Sequence, residues 1–243
     1  MRLRSTMSIN KFVLLLLSLL VPSQLWAAAI THNASGTLFA QTTNAASPFN
    51  STSLTIAAGS DIYLVCGVGS RNGTLPGVAM TWNGVSMTLL NSQQEPTWEN
   101  TAYIFGLANP ATGNQTASLS WTGGSNQRAS FRCTAFNNVG SVSGTLTNFN
   151  GTSADSQGNI ATASGDATYS VNTNSGSVTA VSHTQMWADS NLSSAQYNLS
   201  TTSSDTHQYT HTSTQWALAG IRLLQTGGGG ASISTLGLLG VGK

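Results

Sequence analysis

The chain is 243 residues long, and only 6% of them are charged, with eight Lys or Arg against seven Asp or Glu. An ordinary globular protein carries about 25% charged residues, so solubility here falls to hydroxyls and amides, and nothing in the charge balance attracts nucleic acid. Low charge is also a mark of disorder, but Trp82, Trp98, Trp121, Trp187 and Trp216 among regular apolar positions supply a core to bury, which excludes disorder for the body of the chain.

The first predicted element is a targeting segment. Residues 1–29 combine a basic start (Arg2, Arg4, Lys11), an apolar run from Phe12 to Val21, and small residues at Ala27 and Ala29. That run is about ten residues, short of the roughly 20 that cross a bilayer as a helix, so it reads as a secretory signal peptide cleaved near Ala27 to Ala29. Cleavage leaves Arg71, Arg128, Arg132, Arg222 and Lys243 against seven acidic side chains, a net charge near −2, with no transmembrane span in the mature chain. About 215 residues remain, a size that all-β sandwiches often reach as one domain. The expected organisation is 1–29 signal peptide, 30–225 β-sandwich domain, and 226–243 Gly-rich linker with a weakly apolar tail. The expected setting is secreted, either extracellular or at a cell surface.

Beyond the leader, apolar positions recur with period two, and the breaks are rich in Gly, Asn, Ser and Pro. Strands are predicted at 36–40, 53–57, 61–69, 78–82, 85–90, 101–106, 116–121, 129–137, 159–163, 168–171, 177–184, 208–212 and 215–224, with almost no helix. Asn83-Gly84 supplies the positive φ angles of a type I′ turn and makes 78–82 with 85–90 the most secure hairpin. Parity puts Ile62, Leu64, Cys66 and Val68 on one face, and Phe131, Cys133 and Ala135 opposite Ser130, Arg132 and Thr134. In the loop Leu107-Ala-Asn-Pro-Ala-Thr-Gly113, Pro110 predicts extended geometry at Asn109, and Gly113 can take a positive φ. The last strand is apolar on nearly both faces, Trp216 and Leu218 on one and Ala217, Ala219, Ile221 and Leu223 on the other, which predicts a central strand. Turns spaced at eight to twelve residues point to an all-β fold, an antiparallel two-sheet β-sandwich of jelly-roll-like type. Gly227–Gly230 reads as a flexible linker, and the tail 233–241 is either a disordered end or a docking segment.

Cys66 and Cys133 sit among core-type neighbours in a compartment that permits oxidation. A bridge between them would close a loop of about 67 residues and stabilise by roughly 4 kcal/mol in the chain-entropy model. Two buried thiols acting as small apolar side chains is the other reading, and both stay open at this level.

The stretches SLTIAAGSDIYLVCGVGS, MTWNGVSMTLL, AYIFGLANPATGNQTASLSWTGG, RASFRCTAFNNV and WALAGIRLL, in this order over residues 53–224, resemble a widespread jelly-roll-like module of bacterial and phage secreted proteins, one without an assigned activity. The resemblance implies a β-sandwich placed alone or beside surface and adhesion domains. It brings no catalytic residues with it.

Chemistry is sparse. Glu95 and Glu99 in QQEPTWEN are the best carboxylate pair, but four residues of strand span roughly 13 Å, so only a turn would bring them to the spacing a glycosidase uses. The alternatives there are a sugar-contacting loop with Trp98 or a solvated hairpin loop. Trp187 and Asp189 in QMWADSN form a second polar segment with a ring able to stack on a sugar. In Asp205-Thr-His-Gln-Tyr-Thr-His211, extended geometry puts Asp205, His207, Tyr209 and His211 on one face; Asp205, His207 and His211 are metal-ligand types, yet i to i+4 along a strand is long for one ion. A polar outer sheet face is the plainer expectation for that strand, His32 and His183 have no predictable place, and no cofactor is expected. No Gly-x-Ser-x-Gly elbow and no phosphate-binding glycine loop occurs. The expected function is therefore a secreted non-enzymatic module that binds glycans or a cell-surface protein through loops. A structural subunit that self-assembles by strand addition is the alternative, and a polysaccharide-acting enzyme is the least favoured.

Overall fold

A computed structural model describes residues 27–37, 39–41, 47–51, 53–71, 73–97, 99–123, 128–143, 147–188, 193–199, 201–212 and 215–227. Residues 1–26, where a signal peptide was expected, Trp98, Asp189 and residues 228–243 lie outside the described residues. Every regular element among those described is a strand, and the strands form five antiparallel sheets where two were expected. No helix among them is long and apolar enough to cross a membrane.

The central sheet runs β1 (Thr31–Ser35), β12 (Arg128–Asn137), β5 (Tyr63–Arg71), β9 (Thr101–Ala108), β8 (Thr88–Gln94), with β2 (Phe39–Gln41) also on β12. Its first face packs against two small sheets: β3 (Phe49–Asn50), β11 (Ala117–Ser120), β6 (Ala79–Trp82) and β7 (Val85–Ser86) in one, β4 (Leu54–Ile56) and β10 (Gly113–Gln115) in the other. That core holds Leu64, Cys66, Val68, Phe105, Phe131 and Cys133 from the central sheet against Ile56, Met80, Trp82 and Leu119, as the parity of β5 and β12 predicts. Cys66 and Cys133 stand directly opposite in register and are joined by a disulfide, which resolves the open choice in favour of the bridge.

The second face of the central sheet is not solvated. It packs on a further sheet, β13 (Val139–Val142), β21 (Trp216–Gln225), β16 (Ala167–Asn174), β19 (Ser193–Asn198), β18 (Thr184–Ala188), with β14 (Thr147–Gly151) also on β21. Val65, Ile104 and Phe136 meet Tyr169, Val171, Ile221 and Leu223 there, so Ser130 and Thr134, expected on a polar face, are buried between sheets. A Cβ on Gly67 would lie 2.4 Å from both the Tyr169 hydroxyl and Val171, so the glycine is what lets the two sheets close. The far face of this sheet carries an outer layer, β15 (Asp155–Ala161), β20 (Ser204–His211), β17 (Val178–Val181). Four layers therefore stack in series. The two on one side come from residues before Asn138 and the two on the other from residues after it. Asn138, at φ 62°, is the pivot, and its side-chain amide donates to the Ala29 carbonyl at 2.8 Å.

Several local predictions hold. Asn83 and Gly84 both have positive φ (47° and 79°), as a type I′ turn requires. β21 is central, flanked by β13 and β14 on one side and β16 on the other. Others are corrected. The strand expected at 85–90 breaks at Met87, whose side chain enters the core while the chain crosses from the small sheet into β8 of the central one. Asn109 is left-handed at φ 50° rather than extended; Asn tolerates that region, and its N–H reaches the Ile62 carbonyl at 2.8 Å. The adjoining loop is then anchored by the Trp82 indole N–H, which donates to the Ala111 carbonyl at 3.0 Å.

Candidate functional site

β16 and β20 both alternate, but only β16 has an apolar face. Ala167, Tyr169 and Val171 turn to the central sheet, leaving Thr168, Ser170 and Asn172 toward the outer layer. From β20, Asp205, His207, Tyr209 and His211 share one face, as parity predicts, but it is the inner one, and all four are at most 5% exposed. The expectation of a polar outer face fails because a strand polar on both sides gives no sign of which side is covered. Outward positions Thr206, Gln208 and Thr210 are only half-buried.

Asp205 is the hub of this interlayer. Its carboxylate accepts from His183 Nε2 at 2.9 Å, His207 Nε2 at 3.1 Å, Asn198 Nδ2 at 3.1 Å and the Thr168 hydroxyl. Burial alone would raise its pKa, but the hydrogen bonds from His183, His207 and Thr168 outweigh it and hold the carboxyl well below the usual carboxylate range. Burial pushes the fully enclosed His207 down, against the pull of Asp205. His183, still partly open to solvent, is raised by its hydrogen bond to Asp205. The two imidazoles lie 4.8 Å apart between ring centres.

His183 arrives from neither β16 nor β20. β17 runs in the outer layer and β18 in the next sheet, so Ser182 and His183 are the step between layers. That step is fixed by His183 N–H donating to the Gln196 side chain at 2.8 Å and by Ser182 Oγ donating to the Thr206 carbonyl at 3.1 Å. On the other side, His207 Nδ1 lies 2.6 Å from Ser170 Oγ, which is 2.7 Å from the Tyr209 hydroxyl. Ser170, His207 and Asp205 thus have the residue types of a nucleophilic triad, with the carboxylate on Nε2 and the hydroxyl on Nδ1. Ser170 is fully buried, and its hydroxyl is engaged by both His207 and Tyr209.

The other predicted site residues scatter. Glu95 is 2% exposed, and its carboxylate accepts the Thr97 N–H at 2.8 Å, closing the loop after β8. Glu99 is exposed, with left-handed backbone at φ 56°. Trp187 is not a surface ring. It is 5% exposed in the apolar interface with Tyr169 and Val171, and its indole N–H donates to Ser193 at 3.2 Å. His211 is buried at the far end of β20, opposite Val178, and does not join Asp205 and His207; His183 does, and its place depends on strand pairings that no local pattern carries.

The fold and this node define an all-β protein of serially stacked antiparallel sheets with a buried histidine–aspartate centre. Compared with protein families, with curated proteins and with solved structures, the chain matches none. Its likeness to the secreted module therefore rests on its motifs.

Proposed function

We propose that the chain is a secreted, non-enzymatic β module of surface or adhesion type, jelly-roll-like in the sense of its motif resemblance, that contacts glycans or a cell-surface protein through its loops. The observation that supports this reading is the placement of the reactive side chains. Ser170, His207 and Asp205 are enclosed between sheets and bonded to one another, so they act as cross-links, while the surface carries hydroxyls and amides. The test is a glycan array combined with size-exclusion chromatography: a discrete monomer with a reproducible sugar signal supports the module. Turnover of a polysaccharide that disappears in Glu95→Gln and Glu99→Gln replaces it with an enzyme.

One observation favours the second reading, a structural subunit of a filament-like or virion-like extracellular assembly. Leu89, 44% exposed, lies on β8, the edge strand of the central sheet, and Val85, 54% exposed, on β7, the edge strand of the neighbouring small sheet. Such an edge can pair with a strand of a second copy. The amino-terminal residues Phe39–Gln41 are themselves paired, as β2 of the chain's own central sheet. Concentration-dependent assembly that is lost in Val85→Lys/Leu89→Lys establishes the subunit reading, and a monomer at all concentrations removes it.

A further inference from the structure

We infer that His183, Asp205 and His207 form a binding site for one divalent transition-metal ion of the zinc class, placed where the outer layer meets the sheet beneath it. The inference is independent of what the loops bind. Two imidazoles and a carboxylate are a ligand set that selects zinc, cobalt, nickel or copper over calcium or magnesium. One candidate ligand atom from each residue lies within 4.8 Å of the others. Two donors on a tetrahedral ion with bonds of about 2.0–2.2 Å stand roughly 3.3–3.5 Å apart; His183 Nε2 and His207 Nε2 lie 2.9 and 3.1 Å from different oxygens of the Asp205 carboxylate, and the three ligand atoms lie within 4.8 Å of one another, so binding draws the side chains together. The adjustment falls on His183, which sits in the short step between β17 and β18 rather than in a strand and has the most exposed of the three side chains, at 20%. Its open side is the route of entry.

The surrounding groups support ligation rather than oppose it. A metal-binding imidazole is held by a hydrogen bond at its other nitrogen, and His207 Nδ1 has Ser170 Oγ at 2.6 Å. A hydroxyl at that position matters, because it serves either tautomer. With a proton on Nε2 facing Asp205, Nδ1 accepts from Ser170. Once Nε2 gives up its proton to bind an ion, Nδ1–H donates to Ser170, Ser170 donates to Tyr209, and Tyr209 keeps its 2.9 Å donation to the Ser170 carbonyl. Within this Ser170–Tyr209 relay no hydrogen bond is lost by the exchange, while His183 Nε2 gives up its 2.9 Å contact with the Thr206 carbonyl for the ion. Asn198 Nδ2 at 3.1 Å orients the carboxylate, and the Thr168 hydroxyl, 2.8 Å from His207 Nε2, is an oxygen available as a fourth ligand.

The test uses the full chain purified without a histidine tag, titrated with Co²⁺ and then with Zn²⁺. The expected result is one Co²⁺ per chain, with the intense visible bands of a four-coordinate nitrogen and oxygen site, displaced by one equivalent of Zn²⁺. His183→Ala, whose folding is checked by circular dichroism, should weaken binding at least 100-fold, and Ser170→Ala, which leaves all three ligands in place, about 10- to 100-fold. If His183→Ala fails to fold, the stoichiometry and band intensity of the unaltered chain decide. Absence of Co²⁺ binding at micromolar concentration, a weak six-coordinate spectrum, or affinity unchanged in folded His183→Ala would each overturn the site.

Discussion

Replacing Gly67 by Ala tests whether the central sheet and the sheet of β16 and β21 pack face to face as described. The added Cβ would fall 2.4 Å from the Tyr169 hydroxyl, 2.4 Å from Val171 Cγ2 and 2.7 Å from the Trp187 ring. None of these can swing into water, since Tyr169 and Val171 are fully buried and Trp187 is 5% exposed. The sheets must part or the rings must leave their rotamers. Overpacking of this kind costs about 1–3 kcal/mol, and three simultaneous contacts on enclosed side chains place it near 3. For a chain of this size that lowers Tm by about 6–12 °C. Gly36→Ala is the control, because its Cβ would meet nothing closer than 3.6 Å, so its effect stays within about 0.5 kcal/mol. Urea unfolding followed by tryptophan fluorescence measures both. A Gly67→Ala protein as stable as the control refutes the packing of these two layers.

Further expectations follow from single interactions. The folded, unreduced chain should show no thiol reactive with DTNB, and Cys66→Ser/Cys133→Ser should lose at most about 4 kcal/mol in urea unfolding; two reactive thiols would contradict the bridge. Asp166→Ala strips Arg222 of its 2.6 Å partner, together with the caps on Ala163 and Gln225 N–H groups, and should cost about 2–3 kcal/mol, the low end for a partly exposed pair, read as a shift in the urea midpoint. Burial first, and the charge of Arg132 second, hold His32 below the ordinary 6.5 while its ring lies parallel to Tyr197 at 5.5 Å. Its contribution to stability is therefore present above pH 6.5 and lost as pH falls through the folded value. An NMR titration should give a midpoint below 6.5 that Arg132→Gln moves only part of the way back, and a midpoint at or above 6.5 would refute that environment.

What was legible in the sequence was whatever depends on parity and on short-range turn chemistry. The face shared by Ile62, Leu64, Cys66 and Val68, the Asn83-Gly84 turn and the central place of the last strand all rest on contacts between neighbours in sequence or on apolar alternation. The number of layers was not legible. Strand β19, SSAQYN, carries hydroxyls and amides on faces that other sheets cover, so its polarity reads as loop or solvated surface, and β1, THNAS, is a polar edge strand that is exposed or half-buried throughout. Parity alone cannot separate a polar face turned to water from one turned to another polar face. The same ambiguity put Asp205 and His207 on the right side of their strand and the wrong side of the layer. It also left Trp187, in a segment of polar neighbours, looking exposed when its ring fills the space beside Gly67.

The two inner junctions on either side of the β16 sheet are held by different physics. Toward the central sheet the contact is apolar, stabilised in proportion to area at roughly 25 cal/mol per Å². Toward the outer layer, Tyr209, Trp216 and Leu218 give only a small apolar cluster, and the rest is hydrogen bonding at about 0.5–1.5 kcal/mol net for each bond. Part of that gain is offset where side-chain polar atoms of Ser156, Asn172 and Ser194 are buried without a hydrogen-bond partner. The outer layer is thus attached more by direction than by area. Asp205 sets that direction, because its carboxylate gathers Thr168 from β16, Asn198 from β19, His207 from β20 and His183 from the step between layers. Sliding β20 by two residues would keep its inner face inward yet separate Asp205 from Thr168, Asn198 and His183 at once, so a charged centre supplies the register that a hydroxyl-rich interface otherwise lacks. An ion bound to His183, Asp205 and His207 would fix the same three positions. It would fasten the layer that apolar burial holds least.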